Sequence, residues 1–141
     1  MRTIKFRAMR NNGKWVIGNY VHHFISYFDT IERHSIFLSK SENDNGGHWV
    51  EDIITKTIGQ FTGLYDKVGK EIYEGDIVKW SNGRLYVVKF LDGMFYASVE
   101  ECNDGILGGF PLHRLTEYED GKCEIVGNIF DNPELLKGFV K

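Results

Sequence analysis

The residues best able to do chemistry in this chain are five histidines, and their spacing along the sequence predicts no joint site. They are His22, His23, His34, His48 and His113. His22 and His23 are adjacent, and consecutive side chains of a strand point to opposite faces, so the two are not expected to bind one metal ion. No HExxH or CxxC pattern accompanies them. We therefore predict no metal site and no bound cofactor.

Carboxylates occur as sequence-adjacent pairs, at Glu51-Asp52, Glu100-Glu101 and Glu119-Asp120. Each pair flanks a predicted turn or strand end, which is typical of solvated charge. No serine or cysteine lies in the context of a nucleophile elbow. We predict no catalytic residue and expect a protein that is not an enzyme, with an enzyme of unrecognised type as a second alternative.

A basic N-terminal segment is the best candidate for a binding surface. Residues 1–28 carry a charge of +5, with no acidic residue, whereas the remainder holds 12 basic and 20 acidic residues and carries −8. Lys5 and Arg7 would share one face of a strand beside aromatic residues of the next strand, an arrangement that suits single-stranded nucleic acid or a protein partner. The candidate contact residues are Arg2, Lys5, Arg7, Arg10, Lys14 and Trp15.

The charge of the rest of the chain weighs against nucleic acid. An acidic body repels a polyanion, and the sequence shows no second basic cluster. We therefore predict subunit contacts or a solvated strand face for these residues, and keep a nucleic-acid-binding module that uses this basic strand as the alternative function.

The elements that must position these residues are mostly strands. Ile4, Phe6 and Ala8 alternate with polar residues, and Asn11-Asn12-Gly13 predicts a hairpin into a second strand, Trp15–Phe24. That second strand is apolar on both faces, so it should lie centrally or at an interface. Ser35–Ser39 predicts a short strand, 39–47 an exposed loop and Trp49–Ile54 at most one helical turn.

The second half of the chain predicts five short antiparallel strands. They are Asp76–Trp80, Leu85–Leu91, Met94–Glu100, Pro111–Tyr118 and Cys123–Phe130. Asn82-Gly83 and Asp92-Gly93 supply tight hairpin turns between the first three. The fold class predicted is mostly β, with an N-terminal antiparallel sheet packed on a C-terminal SH3-like five-stranded barrel. A short C-terminal helix follows, capped by Asn132 and starting at Pro133.

The segment between the halves carries glycines and aspartates whose use we predict to be structural. Gly69 should lie in a turn and Gly75 should let the chain bend into the next strand. Asp66 and Asp76 should accept hydrogen bonds from neighbouring amides. No phosphate-binding GxxxxGK[ST] or GxGxxG pattern occurs.

Three stretches of the chain resemble the YopX family of phage and prophage proteins. They are MRTIKFRAMRNNGKWV at 1–16, TIGQFTGLYDKVGKEIYEGDIV at 57–78 and CEIVGNIFDNPELL at 123–136. The resemblance implies one YopX-like domain over 1–141, with an N-terminal sheet at 1–65 and a barrel plus helix at 70–141. It also implies a phage context and no assigned biochemical activity. We therefore expect a phage or prophage accessory protein that acts by binding or assembly.

The composition of the chain predicts its location, the state of its cysteines and its assembly. No apolar run is long enough to span a membrane and no signal peptide begins the chain, so a cytoplasmic location in the bacterial host is predicted. Cys102 and Cys123 should be buried or half-buried thiols. Ten Phe, seven Tyr and three Trp exceed what short strands readily bury, which favours a homo-oligomer.

Overall fold

The computed structural model describes residues 1–24, 32–38, 47–99, 109–117 and 122–139, and these residues form eleven β-strands and two 3₁₀ helices. The chain divides into two compact units, Met1–Phe61 and Thr62–Lys141. The mostly β class predicted from the sequence is confirmed. No helix among the described residues has the length and apolar character needed to cross a bilayer.

The first sheet has six strands in the order β4-β3-β2-β1-β5-β6. The strands are β1 (Phe6–Arg10), β2 (Trp15–Phe24), β3 (Glu32–Leu38), β4 (His48–Val50), β5 (Ile53–Tyr65) and β6 (Glu71–Tyr73). The predicted hairpin between β1 and β2 is confirmed, since Gly13 adopts a φ of 83° and donates to the Arg10 carbonyl at 2.9 Å. The weaker prediction of a helical turn at Trp49–Ile54 is wrong, because β4 and the start of β5 occupy it.

β2, which is apolar on both faces and was expected to lie centrally or at an interface, is an inner strand of the sheet. It is hydrogen-bonded to β1 along one edge and to β3 along the other. One of its faces contributes to the core of the first unit. That core is built on Ala8, Ile36, Val50 and Ile53, with Phe6, Val16, Tyr20, Leu38 and Ile58 packed against it. The opposite face carries the basic and aromatic residues considered below.

The second sheet has five strands in the order β10-β9-β8-β7-β11. They are β7 (Asp76–Lys79), β8 (Leu85–Leu91), β9 (Met94–Ser98), β10 (Phe110–Pro111) and β11 (Glu124–Asn128). The two predicted hairpin turns are present, with Gly83 and Gly93 both at a φ of 82° and Asp92 at 49°. Its buried residues Val78, Tyr86 and Val88 form the core of the second unit, together with Ile72 of β6 and with Leu112 and Leu115.

The closed barrel predicted from the sequence is not confirmed. Within the described part of the chain, β10 and β11 are the two edges of an open sheet and no ladder joins them. The predicted strand at Pro111–Tyr118 is a strand for only one residue before a 3₁₀ helix at Leu112–Leu115 takes over. Leu112 and Leu115 are 1% and 0% exposed, and a 3₁₀ helix repeats every three residues, so the turn buries both on one side.

The predicted C-terminal helix is a 3₁₀ helix, Pro133–Phe139, rather than an α-helix. The Leu135 amide donates to the Asn132 carbonyl at 3.1 Å, three residues back. The Asn132 side chain does not act as the expected cap, because its Oδ1 accepts from the Asn128 amide at 3.3 Å. The helix start at Pro133 therefore agrees with the sequence, but the hydrogen bonding does not.

Asp66 and Asp76 do hold backbone amides, as predicted. Asp66 Oδ1 accepts from the amides of Val68 and Lys70 at 3.0 and 2.8 Å, and its Oδ2 accepts from the Ile125 amide at 3.1 Å. Asp76 Oδ2 accepts from the Tyr73 amide at 2.8 Å. Both residues are almost fully buried, and Gly69 and Gly75 take positive φ values beside them.

Several predictions fall outside the described residues. They concern the loop at 39–46, the carboxylate pairs at Glu100-Glu101 and Glu119-Asp120, the end of the strand at Tyr118, and Cys102. Cys123 is described, and it is buried as predicted.

Candidate functional site

The predicted basic residues do not form one continuous patch. Arg2 and Lys14 are exposed, Lys5 lies just before β1, Arg7 and Arg10 lie in β1, and Trp15 begins β2. The Arg10 guanidinium is held by an acidic partner. Its Nε and Nη2 donate to the Asp52 carboxylate at 3.0 to 3.2 Å. This hydrogen bonding lowers the pKa of Asp52. The charge of Arg10 is therefore balanced within the chain.

Lys5 and Arg7 are each placed over an aromatic ring. The Arg7 guanidinium carbon lies 4.8 Å from the centre of the Trp15 ring, and Lys5 Nζ lies 4.9 Å from the centre of the Phe61 ring. A cation at this distance from a ring is attracted by the negative face of its π system. The aromatic neighbour expected on the next strand is present for Arg7, whereas the ring beside Lys5 comes from β5, the strand on the other side of β1.

Arg7 and Trp15 belong to a wider aromatic surface on the first sheet, which we call the outer face. Strand register sets its membership: Arg7 lies opposite Ile17, and Phe37 opposite Trp49. Directly opposed residues of antiparallel strands project to the same side of a sheet. The outer face consists of Arg7, Trp15, Ile17, Phe37 and Trp49. Ile17 is 48% and Trp49 55% exposed, although the Phe37 and Trp49 ring centres are only 4.9 Å apart.

The other side of the same sheet brings together two histidines and a glutamate that are distant in sequence. His22 of β2 lies directly opposite His34 of β3, and Glu32 is two residues along β3 on the same face. The two imidazole rings are stacked, with centres 4.5 Å apart and planes within 4°. We call these three residues the His-Glu-His cluster.

The carboxylate of Glu32 lies near the Nε2 atoms of both rings. Its Oε1 is 3.7 Å from His22 Nε2, and its Oε2 is 3.6 Å from His34 Nε2. The Tyr20 hydroxyl is 2.6 Å from Nδ1 of His34, on the far side of that ring. Burial, and then the charge of Glu32, raise the pKa of Tyr20, so its hydroxyl stays protonated and can give or accept this hydrogen bond.

A cleft of about 350 Å³ adjoins the His-Glu-His cluster. It is lined by Glu32, Arg33, His34, Glu51, Ile53 and Thr55. Arg33 Nη1 and Glu51 Oε2 form an ion pair at 3.2 Å along its wall. The cleft therefore joins two potential metal ligands to a charged and polar lining.

A second cleft, of about 560 Å³, lies in the second unit and is lined by residues from three separate stretches of the sequence. They are Lys67, Lys79, Trp80, Ser81, Asn82, Gly83, Lys122 and Glu124. Lys67 Nζ is 3.0 Å from Glu124 Oε2. Three lysines line this cleft beside the Trp80 indole, a grouping that was not predicted from the sequence, and Glu124 balances the charge of Lys67.

Sequence reasoning missed both groups for the same reason. The prediction that His22 and His23 face opposite ways is correct, since His22 stacks on His34 while His23 contacts the edge of Trp49 on the outer face. The partner of His22 is set by the register of β2 against β3, across a connection that carries no turn motif to fix it. The three lysines likewise meet only through contacts between distant segments, since β7 pairs with β11 and the Lys67 amide donates to the Cys123 carbonyl at 2.9 Å.

Comparison with solved structures finds a similar fold. The crystal structure of protein EF1440 from Enterococcus faecalis matches with a TM-score of 0.57 over 96% of this chain and 99% of that chain, at 22% identity. This likeness concerns the fold alone. The search of curated proteins finds no match.

A family model gives the firmer relationship. The model described as YopX protein matches residues 5–137. This range includes the first of the three stretches from Lys5 onward and the other two in full. The match covers nearly the whole chain, including every described strand. This chain therefore belongs to the YopX protein family.

Proposed function

We propose that this protein is a non-enzymatic accessory protein of a phage or prophage, acting by binding or assembly in the bacterial cytoplasm. Membership of the YopX family supports the phage context. The absence of catalytic sequence motifs supports a binding role over catalysis.

The observation that carries the proposal is the outer face. Ile17, which lies opposite Arg7, and Trp49, two strands further along the same face, each expose about half of their surface. Trp and Arg are enriched among the residues that dominate binding energy at protein interfaces. We assign the face to a second copy of this chain, because the N-terminal +5 segment that contributes Arg7 and Trp15 complements the −8 carried by the remainder.

Light scattering on the full chain at micromolar concentration tests this assignment. We expect a mass of at least two chains, against 16.3 kDa for one. Ile17→Lys should return the protein to one chain, because a charge at the centre of an apolar contact must be desolvated without a partner. Val68→Lys is the matched control, since Val68 is 72% exposed and lies in the other unit.

Two results would contradict self-association through the outer face. One is a mass of 16.3 kDa for the unaltered chain at every concentration up to about 100 µM, a range in which stable dimers of ordinary interface size associate. The other is equal loss of association in Ile17→Lys and Val68→Lys.

The alternative function is a nucleic-acid-binding module that uses Arg2, Lys5, Arg7, Arg10, Lys14 and Trp15. The Arg7–Trp15 stack supports it, and the cleft with Lys67, Lys79 and Lys122 around Trp80 adds a second basic and aromatic surface. The ion pair between Arg10 and Asp52 weighs against part of the N-terminal set.

Mobility shift with single-stranded DNA, duplex DNA and RNA at several salt concentrations separates the two functions. Contact with phosphates requires that affinity fall steeply as salt rises. Lys79→Glu with Lys122→Glu tests the second-unit cleft, and Arg7→Ala tests the N-terminal strand. No shift at low salt would remove this alternative.

The second alternative, an enzyme of unrecognised type, draws support from the cleft lined by His34, Glu32 and Glu51. A screen against ester, phosphate and glycoside substrates tests it, with His34→Ala as the control that must lose any turnover.

The SH3-like arrangement of the second unit is also a proposal. The strand order β11-β7-β8-β9-β10, with a 3₁₀ helix between β10 and β11, supports it.

A further inference from the structure

We propose that His22, Glu32 and His34 form a binding site for Zn²⁺, a role beyond the assembly function proposed above. The three ligand atoms all lie within 4.8 Å of one another. Two imidazoles and one carboxylate are a ligand set that zinc accepts, with a fourth position left for water or an incoming group.

The spacing of the ligand atoms is close to that of a metal-bound set. Zn–N and Zn–O lengths near 2.1 Å with tetrahedral angles place two ligand atoms about 3.4 Å apart. The Glu32 oxygens lie 3.7 and 3.6 Å from Nε2 of His22 and His34. The three ligand atoms lie within 4.8 Å of one another, so side-chain movements of about 1 Å bring them to this spacing. The two stacked rings must also rotate so that both lone pairs point to the ion.

The backbone and the hydrogen bonds around His34 favour binding. His22 and His34 are held opposite each other by the β2–β3 ladder, so the two imidazoles are positioned before any ion arrives. In the tautomer where His34 Nδ1–H donates to the Tyr20 hydroxyl oxygen, Nε2 presents its lone pair to the ion. Such an outer hydrogen bond orients a ligating histidine and raises its basicity.

The site is open to solvent on the side of Glu32. The Glu32 side chain is 56% exposed, while those of His22 and His34 are 39% and 23% exposed. The ion can therefore enter without opening of the fold, and Glu32 and His34 also line the adjoining cleft.

Isothermal titration calorimetry of Zn²⁺ into the chelator-treated full chain tests the site. We expect one ion per chain with a Kd of about 10 µM or tighter, and no heat from Mg²⁺, which prefers an all-oxygen set. Glu32→Gln keeps the size and the fold but removes the charged ligand, so it should weaken Zn²⁺ at least about 10-fold, and His34→Ala more. Tyr20→Phe should weaken it by about 10-fold through loss of the outer hydrogen bond.

The controls are the histidines outside the cluster. His23→Ala removes the neighbour of His22 that faces the other side of the sheet, and His113→Ala removes a histidine 3.7 Å from Glu117 in the second unit. Both should bind Zn²⁺ as the unaltered chain does, and circular dichroism of each variant shows whether it is folded. Absence of saturable Zn²⁺ binding, or equal weakening by His23→Ala and Glu32→Gln, overturns the proposal.

Discussion

At the scale of single residues, the buried carboxylate of Asp66 joins two distant segments of the second unit. It accepts three backbone hydrogen bonds, and one of them, from Ile125, joins segments 59 residues apart. Asp66→Ala leaves these amides without the carboxylate, so we expect a loss of about 3 kcal/mol or more in the free energy of unfolding. Glu124→Ala, which removes only a half-exposed ion pair with Lys67, should cost less than about 1 kcal/mol. Urea denaturation measures both, and similar losses would contradict the assignment.

Cys123 gives a prediction for pH at the same scale. Burial, with Asp66 as a lesser cause, raises the pKa of its thiol to about 11. In the unfolded chain the thiol has a pKa of about 8.5. The stability that the folded state gains by keeping Cys123 protonated is therefore full below that pH and is lost as pH rises towards 11. In a Cys102→Ser background, the folded protein should resist a thiol reagent at about pH 8 and react once unfolded in urea. Rapid reaction of the folded protein would show that Cys123 is accessible.

At the scale of elements, β2 and β3 approach each other closely at Gly18. A Cβ at this position would overlap the Phe37 carbonyl oxygen and lie 2.9 Å from Ile36 Cγ2. Gly18→Ala must therefore push β3 away, and we expect it to cost about 1–3 kcal/mol in urea denaturation. Asn19→Ala, at the next position and exposed, should change stability by no more than about 0.5 kcal/mol. Because His22 and His34 lie on the same two strands, Gly18→Ala should also weaken Zn²⁺ binding, which Asn19→Ala should not.

The elements that could be predicted from the sequence are those fixed by local chemistry. Asn12-Gly13, Asn82-Gly83 and Asp92-Gly93 each demand positive φ, and each hairpin they predict is present. β5, the thirteen-residue strand at Ile53–Tyr65, was not predicted, because Gly59, Gly63 and its polar residues mask the alternation. The 3₁₀ helix at Leu112–Leu115 was predicted as strand, since a short apolar segment fits both periods.

The candidate site could be predicted only in part. The cation beside a ring at Arg7 follows from alternation along one strand and the turn that pairs it with the next, whereas the ring beside Lys5 belongs to β5, which was not predicted. The His-Glu-His cluster depends on which residue of β3 opposes His22, and a slip of one residue would send His34 to the other face. No local pattern in the sequence sets that register.

At the scale of the whole molecule, the uneven charge gives a test of assembly that needs no variant. Attraction between the +5 N-terminal segment and the −8 remainder of a neighbouring chain is screened beyond about 10 Å at 0.1 M salt. We expect self-association to weaken when salt is raised from about 0.05 to 0.5 M, and the dissociation constant from sedimentation to rise. Association that strengthens with salt would mean that apolar contacts at Ile17 and Trp49 act without help from charge.

The open second sheet also limits how copies of the protein can join. An unpaired edge strand offers its amides and carbonyls to any passing strand, and such edges can seed fibres. β10 contains two residues, and one of them is Pro111, which has no amide hydrogen to give. A foreign strand gains almost no ladder there, so growth by continuous sheet extension is blocked at that edge. The self-association proposed above must therefore use a surface other than the β10 edge.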